Sequence, residues 1–129
     1  MKVPGSACSS EDGMKTVLLV EDNPHVLEIT AYMLEDAGYE VVAANSCEQA
    51  MQVASVRADI GVILTDLNLN EGMSGIEMAA AMHKDGLKCP LVVMSGDANP
   101  PANGFQSWMR YLPKPFDRQM LLKAITGFA

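Results

Sequence analysis

The strongest constraint in this sequence is a rhythm of short apolar runs that each stop abruptly at a polar or charged residue. Val17–Val20 ends in Glu21-Asp22, Ile60–Thr65 ends in Asp66, Leu91–Met94 ends in Ser95, and Met109–Leu112 leads into Pro113-Lys114-Pro115. A further run, Glu40–Ala44, lies between the first two. Short apolar runs without polar alternation read as strands buried on both faces. Such strands need a parallel sheet with helices on either side.

The intervening segments supply those helices. Asn23 is a natural N-cap and Pro24 a natural first helical residue. Val26, Ile29, Thr30, Met33, Leu34 and Ala37 then recur at steps of three and four, until Gly38 gives the stop. Ser46 caps a second helix to about Val56, with Ala50, Met51 and Ala54 on one stripe. Gly72 to Gly75 reads as a turn, and Ile76–Lys84 as a third helix. The last helix starts near Asp117 and carries Met120, Leu121, Ala124, Ile125 and Phe128 on one side. Between Ser95 and Lys114 the pattern weakens. Asn99-Pro100-Pro101-Ala102-Asn103-Gly104 is poor helix material, so the fourth helix is expected to be short or irregular. Strand and helix alternate through one domain, expected over 15–129 with right-handed connections. Residues 1–14, rich in Pro, Gly and Ser, are expected to form a loose tail.

Composition narrows the function. Nine basic residues against sixteen acidic ones give a net charge of −7, which disfavours the basic footprint that nucleic-acid binding needs. No apolar run approaches the ~20 residues of a membrane helix, and the first residues have no apolar segment of signal-peptide type. Cys8, Cys47 and Cys89 are odd in number and lack zinc-ligand spacing, so the expected setting is a reducing cytoplasm. The ten methionines read as adaptable core filling. His25 and His83 read as surface helix residues, and Trp108 as packing.

Glu21-Asp22, Asp66, Ser95 and Lys114 all fall just past the carboxyl ends of expected strands. In an open α/β sheet, ligands bind outside those ends. Clustered carboxylates repel one another and need a counter-charge, and a hard divalent cation such as magnesium prefers oxygen ligands. An aspartate can also act as a nucleophile toward phosphorus. A lysine ammonium and a serine hydroxyl can hold the oxygens of a transferring phosphoryl group.

The motifs VLLVEDNP at 17–24, LTDLNL at 64–69, MSGIEM at 73–78, VVMSGD at 92–97 and LPKPF at 112–116 together resemble the receiver domains of response regulators. The resemblance implies a flavodoxin-like (βα)5 three-layer sandwich with strand order 2-1-3-4-5, and a signalling module rather than an enzyme. It implies that Asp66 accepts a phosphoryl group from a histidine kinase or histidine phosphotransfer protein, with Mg2+ present. Asp22 and Asp66 would bind the metal directly, Glu21 largely through water, and Asn68 through its backbone carbonyl. Ser95 would be the switch hydroxyl and Lys114 the phosphate-binding lysine, before a proline joined by a cis bond. Tyr111 matches the family's aromatic switch.

Departures from the family pattern also bear on function. Asn70 and Ser74 stand where a proline and an aspartate are common, and the four-residue loop Asn70–Met73 is one residue longer than the family pattern, as in many receivers attached to hybrid sensor kinases. An unusual fourth helix puts the family's usual output surface in doubt. Two other functions compete. An aspartyl-phosphate phosphatase usually carries an acid/base aspartate two residues beyond the nucleophile, where this chain has Asn68. An unphosphorylated pseudo-receiver is opposed by the intact set Glu21, Asp22, Asp66, Ser95 and Lys114.

Overall fold

The computed structural model describes residues 16–69, 74–86, 89–96 and 105–126. Five parallel strands, β1 (Thr16–Val20), β2 (Glu40–Ala44), β3 (Ile60–Asp66), β4 (Leu91–Ser95) and β5 (Met109–Pro113), form one sheet in the order β2-β1-β3-β4-β5. Four helices accompany them: α1 (Pro24–Asp36), α2 (Cys47–Val56), α3 (Gly75–Lys84) and α4 (Arg118–Thr126). This is the architecture expected from the sequence. The proposed tail at 1–14 and the Pro- and Gly-rich segment around 99–104, where an irregular fourth helix was expected, lie outside the described residues.

Successive strand residues point to opposite faces, and the two faces bury separate cores. Leu18, Val20, Ile63 and Val93 pack with Ala50 of α2 and with Met78 and Met82 of α3. Val17, Leu19, Leu64, Val92 and Met94 pack with Leu34 of α1 and Leu121 and Ile125 of α4. The methionine expectation holds for Met78, Met82, Met94 and Met109, all buried. Cys47 and Cys89 are buried free thiols.

Helix starts follow from side-chain caps. The Asn23 side chain accepts hydrogen bonds from the backbone N–H groups of His25 and Val26, at 2.9 and 3.2 Å. Ser46 accepts from Gln49 N. Ser74 and Glu77 form a reciprocal capping box at the start of α3. After α1, Gly38 takes φ +100°, a left-handed value that strains any residue with a Cβ.

Three details differ from the sequence reading. The inward side of α1 is Leu27, Thr30, Ala31 and Leu34, whereas Ile29 is 59% exposed. One apolar stripe therefore wraps onto the surface. His83 is not a plain surface residue: its ring stacks on Trp108 with centroids 4.3 Å apart and planes 12° from parallel. Finally, β3, β4 and β5 each run one residue farther than their apolar runs. Asp66 pairs with Met94, and Ser95 pairs with Pro113. Backbone pairing does not require an apolar side chain, so the sheet carries these polar residues as its last rungs.

Candidate functional site

The ends of β1, β3, β4 and β5 bring the polar residues of distant segments together. Glu21, Asp22 and Asp66 each present a carboxylate oxygen, and these oxygens all lie within 4.8 Å of one another. The ammonium of Lys114 stands 3.4 Å from Glu21 Oε1 and 3.4 Å from Asp66 Oδ1. It arrives there because the chain leaves β5 with the Lys114 N–H donating to the Ser95 carbonyl at 2.6 Å. The following Lys114–Pro115 bond is cis, as the resemblance implies. Ser95 closes β4 and is buried.

Burial makes this cluster costly. Glu21 is only 1% exposed, and loss of solvent is the largest influence holding its carboxyl above the usual carboxylate range. The Asp66 carboxylate pushes the same way, while the Asn23 N–H and the Lys114 ammonium oppose it. Among the described residues, three carboxylates gather here and the Lys114 ammonium stands against two of them. The excess negative charge and the all-oxygen donor set fit a hard divalent cation such as Mg2+.

The remaining sequence candidates sit nearby. Asn68 is exposed, two residues beyond the end of β3. Tyr111 is half-buried on β5 and meets Phe105 edge-on, ring centroids 6.2 Å apart. Sequence reasoning missed an apolar groove of about 540 Å³ beside the site. Val26, Ile29, Met33, Pro115 and Phe116 line it, and it reaches Lys114. Val26, Ile29 and Met33 recur at helical spacing, and periodicity alone does not separate a core stripe from the wall of a groove.

Known proteins share this fold. Residues 17–126 match the family model described as response regulator receiver domain, and the chain belongs to that family. It is 36% identical over 124 residues to the nitrate/nitrite response regulator protein NarP of Escherichia coli, covering 88% of this chain and 54% of that protein. It is 34% identical over 119 residues to the phosphate regulon transcriptional regulatory protein PhoB of Pseudomonas aeruginosa, covering 86% and 51%. The transcriptional regulatory protein GlrR of E. coli matches at 30% identity, over 84% of this chain and 25% of that protein. The chain thus spans about a quarter to a half of these relatives. Among solved structures, the chemotaxis protein CheY4 of Vibrio cholerae superposes with TM-score 0.82 at 26% identity, covering 90% of this chain and 99% of that one. A response regulator receiver protein from Sinorhizobium medicae gives 0.77 at 28% identity, covering 88% and 93%. Receiver domains are signalling modules that bind Mg2+ at an acidic pocket and interact with histidine kinases or phosphotransfer proteins. Among the described residues no helix is long and apolar enough to cross a membrane.

Proposed function

We propose that this chain is the phosphoacceptor of a two-component phosphorelay and that Asp66 takes the phosphoryl group. The observation that carries this reading is the carboxylate cluster of Glu21, Asp22 and Asp66 with the Lys114 ammonium 3.4 Å from two of its members. An Asp66 carboxylate oxygen attacks phosphorus as the bond to the donor's imidazole nitrogen breaks, and the electron pair leaves with the imidazole. Lys114 balances charge on one phosphoryl oxygen, and the Ser95 hydroxyl donates to another. Asp22 and Asp66 directly, the Asn68 backbone carbonyl, and Glu21 through water would hold Mg2+. When bound, that ion neutralises the oxygens that the carboxylates would otherwise repel.

Once formed, the aspartyl phosphate draws Ser95 toward it, and Tyr111 follows. This biases two pre-existing conformations and so changes which proteins bind. The apolar groove beside Lys114 supports a protein donor, since it offers a docking surface continuous with the acceptor. In this reading the module occupies 15–129, works in the cytoplasm and needs no nucleic-acid contact of its own. Asp66→Asn should take no label from radiolabelled acetyl phosphate or from a phosphorylated histidine donor. Equal labelling of variant and wild type would remove Asp66 from the acceptor role.

A further inference from the structure

Gly75 opens α3 and has no side chain, yet it touches the acceptor strand more closely than any side chain would permit. Its N–H donates to the Leu67 carbonyl at 2.8 Å, and the Leu67 N–H donates to the Met94 carbonyl at 2.8 Å. The Thr65 hydroxyl donates to the Asp66 carbonyl at 3.0 Å. A methyl group placed on Gly75 would lie 2.3 Å from that same Asp66 carbonyl oxygen, 3.0 Å from Thr65 Oγ1 and 3.1 Å from Thr65 Cγ2. The obstruction is strand backbone, paired to β4 at Asp66 and Leu67, and it cannot swing aside as a flexible side chain can. Nor is Gly75 there for its conformational freedom, because the positive-φ glycines among the described residues are Gly38 and Gly86. Space is the requirement.

We propose that Gly75 is a positioning residue for phosphoryl transfer: its missing side chain lets α3 seat on the Asp66 carbonyl, and that contact fixes the backbone from Asp66 to Asn68. The inference rests on Asp66 being the acceptor. Leu67 is held from both sides, by Met94 through its N–H and by Gly75 through its carbonyl. The peptide joining Leu67 to Asn68 is thereby oriented, and this fixes the backbone that enters Asn68, one peptide before the carbonyl Asn68 would offer a metal. Bringing a new Cβ out from 2.3 Å to an ordinary 3.4 Å contact moves α3 and the acceptor loop apart by about 1 Å. A displacement of that size at reacting atoms costs on the order of 10²-fold in rate, and Mg2+ tolerates little departure from octahedral geometry.

The test compares Gly75→Ala with Gly38→Ala, a strained substitution remote in sequence from the site. Mg2+ affinity is read by calorimetry, phosphorylation by acetyl phosphate is timed at saturating Mg2+, and Tm is recorded for each protein. Gly75→Ala should weaken Mg2+ binding at least tenfold and slow phosphorylation at least tenfold at saturating metal. Gly38→Ala should lower Tm yet stay within twofold of wild type in both. A folded Gly75→Ala protein within twofold of wild type on both readouts overturns the proposal, as does an equal loss in Gly38→Ala. Should Gly75→Ala fail to fold, Ser74→Ala loosens the same helix start without a clash. A threefold weaker Mg2+ affinity there supports the proposal, and an unchanged one overturns it. Wild type that binds no Mg2+ and takes no label refutes the acceptor reading itself, and the role of Gly75 with it.

Discussion

Replacing Glu21 by glutamine keeps the shape of a side chain that is 1% exposed and removes its charge. The Asp22 and Asp66 oxygens lie no more than 4.8 Å away, so at an effective dielectric constant of about 20 each repels Glu21 by about 3.5 kcal/mol or more. Lys114, at 3.4 Å, attracts it by about 5 kcal/mol on the same scale. Repulsion wins by roughly 2 kcal/mol before the cost of burying the charge is added. Solvent around Lys114, 28% exposed, trims every one of these figures. We therefore expect Glu21→Gln to stabilise the metal-free protein by about 1–2 kcal/mol at pH 8.

The pH dependence has a definite sign. Folding raises the Glu21 pKa, mainly by desolvation and then by Asp66, so the folded state holds this proton more tightly than the unfolded one. The penalty is complete above the folded pKa and fades as pH falls toward the ordinary value of 4.5. Urea denaturation in EDTA, followed by circular dichroism from pH 8 to pH 4.5, should show the advantage of the variant shrinking on acidification. Saturating Mg2+ should reverse the ranking, because wild type gains more from a ligand that binds only the folded state. A variant less stable than wild type in EDTA at pH 8, or an advantage that grows on acidification, would refute the electrostatic reasoning.

Two further outcomes test the surroundings of the site. Ile29→Glu places a charge on the exposed rim of the apolar groove. It should cut phosphoryl transfer from a histidine donor protein at least tenfold while leaving labelling by acetyl phosphate within twofold. Asn23→Ala removes the two hydrogen bonds that cap α1 and should cost about 1 kcal/mol, seen as a lower urea midpoint with an unchanged m-value.

The fold was legible because its signals are local. Asn23-Pro24 and Ser46 announce helices by chemistry that acts within four residues, and Val17–Val20 and Leu91–Met94 are short, apolar and bounded by polar or turn residues, as buried strands are. The convergence of Glu21, Asp22, Asp66 and Lys114 was legible for a different reason: a parallel sheet puts all its carboxyl ends on one side. What the residues alone did not disclose depends on tertiary contact. Ile29 fits the helical stripe of α1 yet faces solvent, because α1 is apolar over a wider arc than the sheet and α4 can cover. Ser74 stood out as a departure from a family pattern, while its role as the α3 cap needs Glu77 in place. The close approach of Gly75 to Asp66 joins two segments whose spacing carries no periodicity, and the His83–Trp108 stack joins residues with no shared motif.

That stack also has an optical meaning. Trp108 is the sole tryptophan of the chain, and it rests face to face on His83 at the last turn of α3, immediately before β5 begins. Indole emission responds to an aromatic ring in van der Waals contact, so its intensity reports the spacing between α3 and the entrance to β5. Lys114 leaves the far end of that same strand. The molecule therefore carries its own fluorophore at one end of the element that delivers the site's lysine, and sliding of β5 against α3 can be followed in unlabelled protein.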